Sequence, residues 1–202
     1  MRAQGFGTGL ILGMLLMWMS GPGLPSATGR NLPEPPCIPA TSAADYVHSV
    51  IQADRTFYTT EIVERMQVRG TAVASEHWKE RGVLPLPAQF LKEAGLLMRG
   101  DDRGIRVRLV SRWPINKDNR PNTDFERTGL SEIMVDGGRP YTAVVTQDGT
   151  SYFQALYPDK AVSQSCIGCH NTHPDSPKKD FKLRDVMGGI LVTMPLPQSG
   201  QK

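Results

Sequence analysis

Residues 141–156, YTAVVTQ followed by Asp148-Gly149 and then TSYFQAL, read as two β-rich runs joined by a two-residue turn. Val, Thr and Tyr suit a pleated, half-buried surface, and Asp-Gly accepts the positive φ angles that a tight hairpin needs. An antiparallel hairpin is expected at 141–147 and 150–156. Outward from it, residues 189–194 form another apolar run, closed by Pro195 and Pro197. Upstream, Ile105, Arg106, Val107, Arg108 and Leu109 alternate apolar and charged, the period of a half-buried strand.

Helices fill the remaining chain. Residues 42–69 contain neither Gly nor Pro, and Thr41 or Ser42 can cap their start. Val47, Val50, Ile51, Phe57, Tyr58, Ile62 and Met66 recur there at helical spacing, with charges between them, so one long amphipathic helix is expected. Shorter helices are expected at 88–98 and 124–134, and loops around Pro85-Leu86-Pro87 and over 111–123. Consecutive antiparallel strands with helices on one side make an α+β domain.

Composition sets few limits. The 202 residues suffice for one domain with a real core, and 39% hydrophobic with 21% charged residues disfavours both disorder and wholesale membrane embedding. A net charge of +3 without a Lys/Arg run gives no footing for nucleic acid.

The chemistry concentrates in Cys166-Ile167-Gly168-Cys169-His170. Two cysteines at this spacing can each form a thioether with one haem vinyl group, and the adjacent His then ligates the iron, so one covalent haem c is expected, with His170 as proximal ligand. A zinc site would want a second ligand pair, which the chain lacks. A thioredoxin-like dithiol would sit at the start of a helix after a strand in a βαβ unit, and the flanking sequence does not suggest one.

The sixth iron position has several candidates. His48 lies beside the apolar stripe of the long helix, where it either faces the haem or is a partly buried core histidine. Cys37 is the odd cysteine and could be a free thiol, a disulfide partner or an iron-bound thiolate. His173 is tethered to the same side as His170, and His77 in a charged loop is the weakest candidate. Met66, Met98, Met134, Met187 and Met194 read as core filling. Lys178, Lys179 and Arg112 read as solvated charges that could meet haem propionates.

The chain begins with a positive start, an apolar run over 10–19 and a small-residue end, the parts of a secretory signal at 1–27. An uncleaved anchor is the competing reading, since 5–24 carry no charge. Either places the remainder outside the cytoplasm, in the periplasm. A Pro-rich tether is expected at 28–41, the haem domain at 42–197 and a short tail at 198–202.

Several blocks give the sequence a family likeness. These are IQADRTFY at 51–58, LPLPAQF at 84–90, SRWPIN at 111–116, YPDKA at 157–161 running through the haem motif to Asn171, SPKKDF at 176–181 and DVMGG at 185–189. Over roughly 43–197 the chain resembles the small c-type haem domain family with a PAS-like fold, formerly catalogued as a domain of unknown function. Members occur alone in exported proteins and as extracytoplasmic parts of sensor kinases. The resemblance implies a PAS-like antiparallel sheet with haem held against it. In one branch the sixth ligand is an N-terminal cysteine, a role for which Cys37 is the only cysteine at hand. The expected function is electron transfer or redox sensing with a periplasmic redox partner or sensor protein. The alternative is a haem-based sensor of NO or CO, which would need a displaceable sixth ligand. Nothing picks out the distal acid–base group of a peroxidase-like enzyme, so no catalytic residue is expected.

Overall fold

The computed structural model describes residues 37–100 and 104–197. The signal at 1–27, most of the 28–41 tether and the 198–202 tail lie outside these residues. Among the described residues no helix is long and apolar enough to cross a membrane.

The long helical run begins two residues earlier than expected. Helix α1 spans Ala40–Phe57, passes into a π-helical segment at Tyr58–Glu64 and ends in α2, Arg65–Val68. Pro39 sits at the N-cap, where its carbonyl accepts from the Ala43 amide at 3.0 Å. The extended tether therefore stops before Ala40.

A short parallel pair follows, β1 (Ala74–Ser75) with β2 (Leu84–Pro85), enclosing the single turn α3 (Trp78–Arg81). These elements are too brief for any periodicity to reveal. Helix α4 is Pro87–Arg99, with proline at its first position, where the missing N–H has no intrahelical partner to lose. Strand β3 is Arg106–Val110, and the loop after it contains a 3-10 turn at Lys117–Asn119. Helix α5, Asp124–Asp136, carries a capping box: Thr123 Oγ1 accepts from the Glu126 amide at 3.2 Å and the Glu126 carboxylate accepts from the Thr123 amide at 3.3 Å.

The hairpin is as read. Strand β4 (Tyr141–Gln147) turns through Asp148 and Gly149, at φ 49° and 77°, into β5 (Thr150–Lys160), which runs four residues further than expected. Helix α6 is Gln164–Thr172 and β6 is Val186–Pro195. The antiparallel sheet has the order β3-β6-β5-β4, with Leu156 opposite Leu191 and a register shift at Asp159/Lys160.

The sheet corrects the expectation of helices on one side only. On one face Ala44 of α1 and Leu91 of α4 pack with Phe153, Ala155, Tyr157, Ile190 and Val192. On the other, Phe125, Leu130 and Ile133 of α5 pack with Val110, Leu156 and Leu191. Central strand β6 is covered on both faces, hence its mostly apolar sequence, interrupted by the buried Thr193. Gly95 lets α4 approach β3, because a Cβ there would stand 2.5 Å from the Val107 carbonyl oxygen.

The core-facing stripe of α1 is only partly the one read from the sequence: Val47 and Ile51 pack against the core. Val50 and Phe57 are exposed at 62% and 60%. The buried positions of the helical run are Ala44, Arg55, Thr59 and Val63. The interior face thus mixes Arg55 and Thr59 with the apolar Ala44 and Val63.

Candidate functional site

Helix α6 projects its two expected attachment cysteines and the expected ligand His170 from one side. Cys166 and Cys169 are one turn apart, and His170 is four residues beyond Cys166, so all lie within about a third of the helix circumference. Ser163 caps the helix, its hydroxyl accepting from the Cys166 amide and touching the Cys166 Sγ, both at 3.4 Å. Cys166 and Ile167 rest on a small cluster of Ala161, Phe181 and Met187. Cys37, Cys166 and Cys169 are all free thiols. Burial foremost, then the charge of Glu76, pushes the Cys169 thiol up.

His170 is placed by its neighbours. Asn171 clamps the returning chain, its side-chain amide donating to the Phe181 carbonyl and accepting from the Phe181 amide, both at 2.9 Å. The Phe181 ring thereby stands edge-on to His170, with centroids 5.8 Å apart. His170 Nδ1 is buried without a hydrogen-bond partner. Burial holds this imidazole below the ordinary histidine range, opposed by Asp159 and helped by Arg55 and His173.

Where the register of β5 shifts, Asp159 turns to Arg55 of α1 in an ion pair with both side chains about nine-tenths buried. Arg55 Nε has no partner. Two residues back on the same strand, Tyr157 stacks flat on His48 at 3.9 Å and donates its hydroxyl to Asp45 Oδ1 at 2.8 Å. Burial, then the bond to Asp45, raises the Tyr157 phenol. His48 Nε2 is buried and unpartnered, and burial lowers the imidazole against the pull of Asp45 and Asp159. The Asp159 charge thus acts on His48 and His170 alike, and β5 connects α1 with α6.

The other expected residues fall as follows. Cys37 is exposed, three residues before α1. The His173 side chain is only 18% exposed and its Nδ1 accepts from the Asp175 amide at 3.1 Å. Glu76, which the sequence did not single out, reaches His173 Nε2 at 3.6 Å and His77 Nε2 at 3.7 Å. Lys178 lies over the Trp113 and Phe181 rings, 5.6 and 4.9 Å from their centroids, instead of standing free in solvent. Met187 and Met194 are core residues, whereas Met66, Met98 and Met134 are half-buried.

The strand-then-helix setting of a dithiol, not suggested by the sequence, is in fact present, since α6 follows β5. The βαβ setting is not, because β6 returns antiparallel to β5. Among the described residues no three His, Cys, Asp or Glu side chains converge as a metal-binding group. Two free thiols and an imidazole with a sealed Nδ1 suit a cofactor tethered by sulfur and ligated through Nε2. A shallow open groove of about 660 Å³ runs along α1 and the π segment, lined by His48, Gln52, Thr56, Phe57 and Thr60 among others.

Fold and site define an α+β antiparallel-sheet domain that presents a Cys-x-x-Cys-His helix beside its long N-terminal helix. The chain belongs to the Tll0287-like family, whose model matches residues 38–195. Its fold is similar to that of the cyanobacterial heme-protein Tll0287, with TM-score 0.50 and 16% sequence identity, covering 80% of this chain and 99% of that one. No curated protein matches the sequence.

Proposed function

We propose that this chain is an exported monohaem c-type cytochrome acting in electron transfer or redox sensing. The observation that carries the reading is the disposition of Cys166, Cys169 and His170 on one side of α6, with both thiols unlinked and His170 Nδ1 sealed. The family likeness to a haem protein supports it. Haem, when bound, supplies a one-electron iron couple.

The chain's own residues do the holding. Cys166 and Cys169 would each add S–H across one vinyl group, fixing the ring in place. His170, steadied by Phe181, would offer Nε2 to the iron. The buried Arg55–Asp159 pair keeps α1 against β5 beside this helix, because separating two buried charges is costly. Such rigidity limits rearrangement when an electron arrives. The proposed setting is the periplasm, and the proposed partner a redox or sensor protein there.

The test is an absorption spectrum of the full chain expressed with a periplasmic haem-attachment system, taken oxidised, reduced and under CO. Covalently retained haem with CO-insensitive, low-spin bands supports electron transfer or redox sensing. Ready CO binding with a large Soret shift would instead favour gas sensing. No covalent haem would sink the proposal.

A further inference from the structure

A helix that packs on its own domain turns its apolar side chains inward, where they leave water. Helix α1 carries a second apolar stripe on its outer side. Tyr46, Val50, Ala53 and Phe57 are all exposed, Tyr46 at 64%. At 3.6 residues per turn they fall within about 60° of the helix circumference, along about 16 Å of its length. Scattered exposed apolar residues need no explanation, whereas four in one line on one helix do.

The spacing points to the kind of surface that fits this stripe. Steps of four, three and four residues are those at which one helix seats its side chains between the side chains of another. The open groove runs along the same line, with Ser49, Gln52 and Thr56 beside Ala53, Phe57 and Glu61. A side chain of the partner helix has a hollow to enter there.

Two properties make that partner a second copy of α1 running the opposite way. The stripe is bulky at its ends, Tyr46 and Phe57, and slim in its middle, Val50 and Ala53. Reversed, it complements itself: Tyr46 of each copy meets Phe57 of the other, and Val50 meets Ala53. The charges agree with this pairing. Four residues beyond Phe57, Glu61 of one copy comes level with Ser42 in the first turn of α1 in the other. That turn has no acidic residue and no side-chain cap, so its amides attract a carboxylate. Arg65 donates to Glu61 Oε2 at 2.8 Å, and among the described residues Oε1 has no bond of its own. A parallel copy would instead set Glu61 against Glu61, like charge on like.

We propose that the outer stripe of α1 is a homodimer interface, two copies packing it antiparallel across a two-fold axis. The stripe is smaller than the roughly 20–30 residues a side of a standard interface, so the dimer forms and dissociates with concentration. The proposal does not depend on the haem reading.

The experiment is sedimentation equilibrium of the full chain, expressed with the haem-attachment system, over a wide range of concentration. A monomer–dimer equilibrium is expected. Phe57→Ala should weaken it about tenfold or more, as loss of an aromatic anchor does. Val50→Glu should leave monomer at every concentration. Both side chains are exposed, so both variants should keep the circular dichroism of the parent, which separates a lost interface from a lost fold. Orientation is read by cross-linking. Tyr46→Cys and Phe57→Cys, each combined with Cys37→Ser, are mixed under diamide, and linked peptides are identified by mass. A link between positions 46 and 57 of different copies is expected, and none from 46 to 46. A parent that is monomeric throughout overturns the proposal, and so does Val50→Glu dimerising as the parent does. Linking from 46 to 46 in place of 46 to 57 overturns the antiparallel pairing and the proposal with it.

Discussion

The sheet and the α6 segment are built to different standards. Leu130, Ile133, Leu156, Ile190 and Val192 are each fully enclosed, in two clusters that cover both faces of β6. Helix α6 has no fully buried residue, rests on a cluster of three, and leaves a ring nitrogen unsatisfied. The sheet is a scaffold complete in itself. The helix is ordered mainly by its cap and by the Asn171 clamp, and it gains most from a bound group.

The sharpest way to break this comparison is Cys166→Ala with Cys169→Ala. All covalent haem should be lost, as read by haem staining after denaturation, while circular dichroism of the sheet persists. If sheet and haem disappear together, the scaffold is not independent.

Leu130→Ala attacks the other side. Truncating a fully enclosed leucine is expected to cost about 2–5 kcal/mol, measured by urea unfolding. The absorption of the haem-loaded folded protein should not move. A changed spectrum would mean that α5 reaches the site through the sheet.

Asn171→Ala should have a smaller effect on stability than Leu130→Ala. It unpairs two backbone groups of Phe181 and is expected to cost about 1–3 kcal/mol. Because Phe181 stands against His170, the electron paramagnetic resonance spectrum should broaden as well. An unaltered signal would remove the clamp from the site.

The smallest effect is expected at Tyr58, whose hydroxyl donates to the Pro85 carbonyl at 2.7 Å and whose ring stacks on Phe90. Tyr58→Phe should cost about 1 kcal/mol in thermal unfolding. Burial raises this phenol above the ordinary tyrosine range. The folded state therefore favours the protonated form, and its contribution is present below about pH 10 and lost as pH rises through the folded value. Tyr58→Phe should flatten the alkaline loss of stability, and an unchanged slope would assign that loss to other groups.

Much of the scaffold was legible because its signals are local. Asp148-Gly149 dictates its own turn, alternation marks β3, and the absence of Gly and Pro permits the long helix. The motif from Cys166 to His170 is equally local. What escaped depended on tertiary placement. Val50 and Phe57 look like core residues, yet they face solvent because Arg55 and Thr59 take the interior side. No periodicity indicates that Asp159 lies opposite Arg55. Glu76 and His77 gain interest only from what α6 brings near them, and residues 74–85 hold elements too short for any pattern. The mostly apolar run of β6 fits a sheet covered on both faces, but a short apolar run alone does not say which faces are covered.

The Asn171–Phe181 clamp has a consequence for how such a protein can diversify. It closes the loop between α6 and the returning chain at its base, so the length of that loop is uncoupled from the position of His170. Doubling a flexible loop adds only about 0.6 kcal/mol of closure entropy. Residues inserted between Thr172 and Asp180 would extend the surface beside the histidine without shifting the histidine itself, leaving new docking specificities within reach of simple insertion.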